Sequence, residues 1–365
     1  MTGAGVHVAV DGSGLARPWA GVGTYTTEIL RSLVAARPES RFSVFTSADP
    51  PFREAGVVYH RPPSARLVGR HLLWPARLRR LGADLYFGPA GLLPLGRVGM
   101  PAVVTAHDMA IYRHPEWFPG GQPLSVRLVV PRSMRRARVI VAVSASTALD
   151  VAELFGVGHE RLEVVPEGVS GRYRPLPDDR LAAVRLRYEL PRRFLLFVST
   201  IEPRKNLPSL LDAWERMRDR PPLVVAGGWG WRCEDVRRRL DGIGPDARVL
   251  GPVPPADLPA LYNLATCLAH PAWYEGFGLT PLEAMACGLP VVASNASSLP
   301  EVVGDAGVLV DPADVEGWTA ALERVCGDET VSATLSLAGV RRAAEFTWPR
   351  AAHRTWEIFD RALGV

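Results

Sequence analysis

Tyr274-Glu-Gly-Phe-Gly-Leu-Thr-Pro-Leu-Glu-Ala-Met-Ala-Cys-Gly288 is a loop that becomes a helix. Gly276 and Gly278 let the backbone turn tightly and approach a ligand, and Pro281 suits a first helical turn, so Leu282 to Cys287 are predicted to continue as helix. The backbone N–H groups of residues 277 to 280 are then left without partners inside the helix. Together with the positive end of the helix dipole they form an anion site, favourable by roughly 0.3–1 kcal/mol from the dipole alone. Glu275 and Glu283, eight residues apart, bracket it. A carboxylate accepts two hydrogen bonds from vicinal hydroxyls, so one holding a ribose and the other a sugar, with a pyrophosphate between, satisfies the chemistry. On spacing alone, a solvated loop residue and a surface helix residue fit equally well.

Around this stretch the chain alternates apolar strands with helices, which is the pattern of a parallel α/β sheet. In the first half Val6–Val10 is a strand, followed by Asp11-Gly-Ser-Gly14, a glycine loop to Gly21-Val-Gly-Thr24 and a helix over about 24–36. A dinucleotide site is not supported there, because the next strand, Arg41–Thr46, ends without the acidic residue that would hold a ribose. Met100–Asp108 is a buried strand ending in His107-Asp108, the edge where such sheets deliver functional side chains. The aromatic loop after it, Tyr112 to Phe118, is a candidate wall for an acceptor. In the second half, Phe194–Thr200 leads into Ile201-Glu-Pro-Arg-Lys-Asn-Leu207; Pro222–Gly227, Ala247–Gly251 and Thr266–Pro271 are further strands.

With 365 residues, 47% of them hydrophobic, the chain is long enough for two domains with cores of their own. No apolar run reaches 18 residues, and Met-Thr-Gly leads directly into a strand, so neither a membrane span nor a signal peptide is expected and the protein is placed in the cytoplasm. Four scattered cysteines without a Cys-x-x-Cys argue against a disulfide framework or a zinc site. Charge is uneven: residues 1–175 hold 21 basic and 13 acidic groups, and residues 176–365 hold 21 and 25, making the halves +8 and −4. A basic first half suits an anionic acceptor or a membrane surface. Within it, residues 66–80 read either as a basic amphipathic helix for such a surface or as an ordinary helix covering the sheet. Of 42 basic residues the only lysine is Lys205, a position that keeps a compact ammonium where the rest of the chain uses guanidinium.

The Tyr274–Gly288 stretch, with Leu289-Pro-Val-Val-Ala-Ser294 and Leu299-Pro-Glu-Val-Val303, resembles the signature of retaining GT-B glycosyltransferases of family four (group 1), and the Glu202-Pro-Arg-Lys-Asn206 and His107-Asp108 segments resemble that family's bacterial mannosyltransferases. The resemblance implies an α/β GT-B fold: two Rossmann-like parallel-sheet domains facing a central cleft. An acceptor-binding domain over 1–171, a proline-containing linker over 172–192 and a nucleotide-sugar domain over 193–348 are expected, with the C-terminal helix, about 349–365, crossing back to the first domain. Carried over residue by residue, Glu275 faces the donor sugar, Glu283 the ribose, and the amides of Phe277, Gly278 and Leu279 the sugar and phosphate. Arg204 and Lys205 meet the diphosphate, His107 approaches from the first domain with Asp108 as a weaker candidate, Gly21, Gly23 and Thr24 lie near the donor phosphate, and Val249 and Leu250 flank the base. Glu301 stands on the ribose side or caps a helix. Glu167 departs from the family's Pro-Asn-Gly and leaves the role of that position open.

The implied activity is retaining transfer of a sugar, mannose from GDP-mannose, to a hydroxyl of a glycan, lipid-linked or small-molecule acceptor. No dedicated nucleophile is visible, which favours front-face substitution, and no Asp-x-Asp segment is placed as a metal bridge, so Arg204 and Lys205 are expected to replace a metal ion. The partners implied are a nucleotide-sugar donor and an acceptor, with no cofactor and no nucleic acid. A UDP-sugar-dependent transferase of the same family and an inactive nucleotide-sugar-binding protein are the alternatives.

Overall fold

The computed structural model describes residues 5–16, 21–61, 73–120, 123 and 125–365. The chain forms two compact units: one of residues 1–109, 120–168 and 348–365, the other of 110–119 and 169–347.

The first unit is built on seven strands, β1 (His7–Asp11), β2 (Arg41–Phe45), β3 (Val57–His60), β4 (Leu85–Gly88), β5 (Ala102–Ala106), β6 (Val139–Ala142) and β7 (Leu162–Val164). All pair in parallel in the order β3-β2-β1-β4-β5-β6-β7. The central strands are continuous apolar runs because both faces are covered; Val8, Val10, Phe87, Val103 and Val104 are inaccessible to solvent. The order reverses between β1 and β4.

The C-terminal helix Trp348–Leu363 belongs to this unit. Trp356 and Phe359, one turn apart, turn inward: Trp356 Nε1 donates to the Leu33 carbonyl at 3.0 Å, and the Phe359 ring meets Phe87 at 5.2 Å between centroids. Arg37 forks onto the Asp360 carboxylate at 2.7 and 2.5 Å, joining this helix to the one over Gly21–Ala36. The helix Trp74–Leu81 buries Trp74, Pro75 and Leu78, so this part of the basic 66–80 segment covers the sheet; positions 66–72 lie outside the described residues. Among the described residues no helix is long and apolar enough to cross a membrane.

The second unit holds β8 (Leu195–Val198), β9 (Leu223–Ala226), β10 (Ala247–Gly251), β11 (Cys267–His270), β12 (Val291–Ser294) and β13 (Val308–Val310), parallel in the order β10-β9-β8-β11-β12-β13, with the reversal between β8 and β11. Trp214 and Trp318 fill one side of its core, and each places its indole N–H on a carbonyl, Pro221 at 2.8 Å and Asp311 at 3.0 Å.

Two segments differ from expectation. The stretch expected to be a linker contains the helix Asp178–Arg187, which docks within the second unit because Arg187 and Tyr188 both reach the buried Asp257 carboxylate, at 2.7 and 2.8 Å. The aromatic loop after His107 also packs there: Trp231 Nε1 donates to the Trp117 carbonyl at 2.7 Å, and Trp117 stacks on His114 at 3.9 Å.

Candidate nucleotide-sugar site

In a parallel sheet, ligands bind beyond the carboxyl ends of the strands where the order reverses. In the second unit that place is β8/β11, and the candidate residues converge on it. After β8 the chain makes a short 3-10 turn, Pro203–Lys205, closed by Asn206 with φ +55°. The Asn206 amide donates to the Pro271 and Pro312 carbonyls at 3.1 and 2.9 Å, which ties the turn to the loop after β11. That loop carries Glu275, whose own N–H is held by Ser297 Oγ at 2.7 Å and whose carbonyl accepts from Ser298 at 2.9 Å.

Glu275 is the hub. Its Oε1 accepts from Lys205 Nζ at 2.5 Å and from His270 Nε2 at 2.8 Å, and its Oε2 accepts from Arg204 Nη1 at 3.2 Å. Arg204 also bonds Glu202 through Nε at 2.7 Å. Burial alone would raise the Glu275 carboxyl, but Lys205, Arg204 and the His270 hydrogen bond hold it well below the usual carboxylate range. Burial, reinforced by Arg204, lowers the Lys205 ammonium against the pull of Glu275. His270 is lowered too, by burial first, with Lys205 and Arg204 opposing the attraction of Glu275. Two cations and two carboxylates thus balance, with a neutral imidazole beside them. The motif alone implies a pair of open cations; the structure shows both already engaged by carboxylates.

The signature helix runs from Leu279 to Ala286, with Pro281 in its first turn as the motif implies. Gly278 makes this possible: its φ is +116°, and a Cβ there would stand 3.0 Å from Leu299 Cδ2. The first helical bond runs from Leu282 N–H to the Gly278 carbonyl, so the amides of Leu279 and Thr280 are spare in the way the motif predicts. Phe277 contributes backbone only, because its ring is buried against Phe346 at 5.8 Å. Glu283 accepts from Tyr262 Oη at 3.0 Å and from the Tyr173 hydroxyl. Val249 and Leu250 lie on β10, the edge strand two places from β8, at a register shift against β9. Glu301 sits in the helix Leu299–Val303, its carbonyl bonded by Arg342 at 2.6 Å.

The first unit holds the other set. His107 follows β5 directly, and both ring nitrogens face acceptors: Nε2–H donates to the Pro89 carbonyl at 2.7 Å and Nδ1–H to Glu167 Oε1 at 3.3 Å. A ring with two donors is an imidazolium. Burial disfavours that charge, but the Glu167 bond and field outweigh it, and the His107 pKa is raised. Asp108 is exposed. Gly21, Gly23 and Thr24, expected at the end of a loop, form the first turn of the helix Gly21–Ala36 instead. Tyr25 in that turn brings it to His107, ring edge to face at 4.7 Å.

Residue-type reasoning misses His270 and leaves Glu167 open. A signal for His270 is present in the chain: like His107, it closes a buried strand at the carboxyl edge of its sheet. Among the described residues no group of three or more His, Cys, Asp or Glu is placed to hold a metal ion.

Residues 192–328 match the family described as Glycosyl transferases group 1, and residues 19–170 match Glycosyltransferase Family 4. O-antigen chain mannosyltransferase B of Escherichia coli is 33% identical over 93% of this chain and 95% of its own length. The chain belongs to the family 4, group 1 glycosyltransferases. A second relative, D-inositol 3-phosphate glycosyltransferase of Salinispora arenicola, is 33% identical over 76% of the chain and 67% of its own length. Among solved structures, sucrose-phosphate synthase from Thermosynechococcus elongatus superposes with a TM-score of 0.79 at 20% identity, covering 98% of this chain and 99% of that one, which identifies the fold as GT-B. This family 4 member is therefore a hexosyltransferase with two Rossmann-like parallel-sheet domains.

Proposed function

We propose that this glycosyltransferase moves mannose from GDP-mannose to a hydroxyl of a glycan or lipid-linked acceptor, with retention of configuration and without a metal ion. The likeness to an O-antigen chain mannosyltransferase over nearly the whole chain supports the sugar and the acceptor class. The basic first half supports an acceptor that carries negative charge or sits at an anionic surface.

The observation that carries the mechanism is the state of Glu275. A carboxylate engaged on Oε1 by Lys205 and His270 and on Oε2 by Arg204, and held far down its titration range, is a poor base and a poor nucleophile. It suits the binding of sugar hydroxyls. Substitution then proceeds on one face: the sugar C1–O bond to the β-phosphate breaks with its electron pair going to phosphate, the acceptor oxygen bonds C1 from the same side, and the acceptor proton passes to the leaving phosphate. Arg204 and Lys205 turn from the carboxylates toward the growing phosphate charge and do the work of a metal ion. Glu283 takes the ribose hydroxyls.

The test is release of GDP from GDP-mannose, compared with UDP- and dTDP-sugars, in EDTA, with the anomeric configuration of the product read by NMR. An α-mannoside formed in EDTA is the expected result. Inversion, full dependence on added metal, or release only from a UDP-sugar would overturn the corresponding part.

A further inference from the structure

We propose that His270 is a positioning residue of the transfer reaction: its Nε2–H pins Oε1 of Glu275 opposite Lys205, so that the carboxylate keeps one orientation when the cations turn to the diphosphate. The inference rests on the reading of Glu275 as the donor-sugar contact.

Three observations carry it. The ring sits at the end of β11, is 2% exposed, and lies 2.8 Å from Oε1 of a carboxylate five residues on. Glu275 is ionised and offers only acceptors, so the proton of that bond belongs to Nε2 and the tautomer is fixed. The other nitrogen, Nδ1, is buried with no hydrogen-bond partner among the described residues. A core residue chosen for packing alone would be apolar and would avoid that orphan atom; a histidine is retained here for the one bond it makes.

The need for the bond follows from the hub itself. In the resting arrangement Lys205 and Arg204 hold Glu275 from two sides. Once a diphosphate competes for both cations, Glu275 loses its fixed partners at the moment it must address the sugar. His270 is neutral, makes no competing ion pair with phosphate, and is anchored by the strand, so its bond persists.

The test is a double-mutant cycle in the full-length protein with Leu and Gln at 270 and Gln at 275. His270→Leu is expected to lower kcat about tenfold or more with little change in the affinity for GDP, and His270→Gln, whose amide reaches the Nε2 position, to recover most of the loss. In a Glu275→Gln background, His270→Leu should cost nothing further, because its effect runs through that carboxylate. A merely structural histidine would show equal losses in both backgrounds and no rescue by Gln, and either result overturns the proposal. Normal transfer by Glu275→Gln itself would instead overturn the reading of Glu275. If His270→Leu does not fold, the 15N spectrum of histidine-labelled wild type decides: the ring signal missing in His270→Gln must show a proton on Nε2 alone at neutral pH, and a proton on Nδ1 overturns the proposal.

Discussion

His107 and His270 are built alike and end in opposite states. Each closes a buried parallel strand, and each hydrogen-bonds a glutamate, Glu167 at 3.3 Å and Glu275 at 2.8 Å. The difference lies in the company of the carboxylate. Glu167 supports a charged His107 by both its bond and its field, and the Pro89 carbonyl accepts a hydrogen bond from Nε2–H, so His107 is raised toward the imidazolium. Burial is the largest influence on His270 and lowers it; Glu275 pulls the other way, but the Lys205 and Arg204 charges beside that carboxylate work against it, and the ring stays lowered. A histidine–glutamate contact by itself says nothing of charge; what else the glutamate touches decides it.

The largest effect expected is on the second unit's side of this comparison. Glu275→Ala should lower turnover by more than about a hundredfold, because the sugar contact disappears, while GDP affinity measured by calorimetry holds or tightens as Lys205 and Arg204 are released. Lys205→Ala should lower turnover as much but weaken GDP binding. Similar GDP affinities in the two variants would mean that the hub does not divide sugar from phosphate in this way.

On the first unit's side, His107→Gln should reduce transfer by roughly a hundredfold and leave GDP binding unchanged, if its charge acts on the reacting sugar and phosphate as the family resemblance implies. A variant with normal transfer would remove His107 from the chemistry. Glu167→Gln is milder and more telling. It takes away the main support of the imidazolium, so activity on the alkaline side should begin to fall at a lower pH. At a fixed pH on that limb the rate should drop about tenfold for each pH unit by which the limb moves. An unmoved profile would show that Glu167 does not set the charge of His107.

The two histidines also tilt stability in opposite directions. His107, raised in the folded state, stabilises below its unfolded pKa near 6.5, and that contribution is lost as pH rises through the folded value. His270, lowered in the folded state, costs stability as pH falls from about 6.5 toward its folded value, because the unfolded chain takes up the proton first. Between pH 5 and 8, His107→Gln should therefore steepen the loss of stability toward acid and His270→Gln should flatten it, as read from denaturant titrations across that range. Matching slopes in both variants would erase the distinction.

Much of this is legible in the chain. Apolar strand runs, helical spacing and the Tyr274–Gly288 motif suffice for two parallel sheets and for Arg204, Lys205 and Glu275 at one of them. What stays hidden depends on contacts between distant segments. The pairing of Glu167 with His107 spans 60 residues, and a glutamate in place of an asparagine carries no local sign of its partner. That Lys205 and Glu275 neutralise each other across 70 residues is equally invisible from motif spacing. The helix beginning at Gly21 starts earlier than residue types imply, because glycines with the look of a loop are taken up into its first turn.

The most direct test of the central claim is a pH titration of 15N-histidine-labelled protein, with the two rings assigned by their absence in His107→Gln and His270→Gln. At pH 7 the account predicts His107 protonated on both nitrogens and deprotonating only above the ordinary histidine range, and His270 protonated on Nε2 alone and taking a second proton only below that range. Two rings titrating together near 6.5 would contradict it.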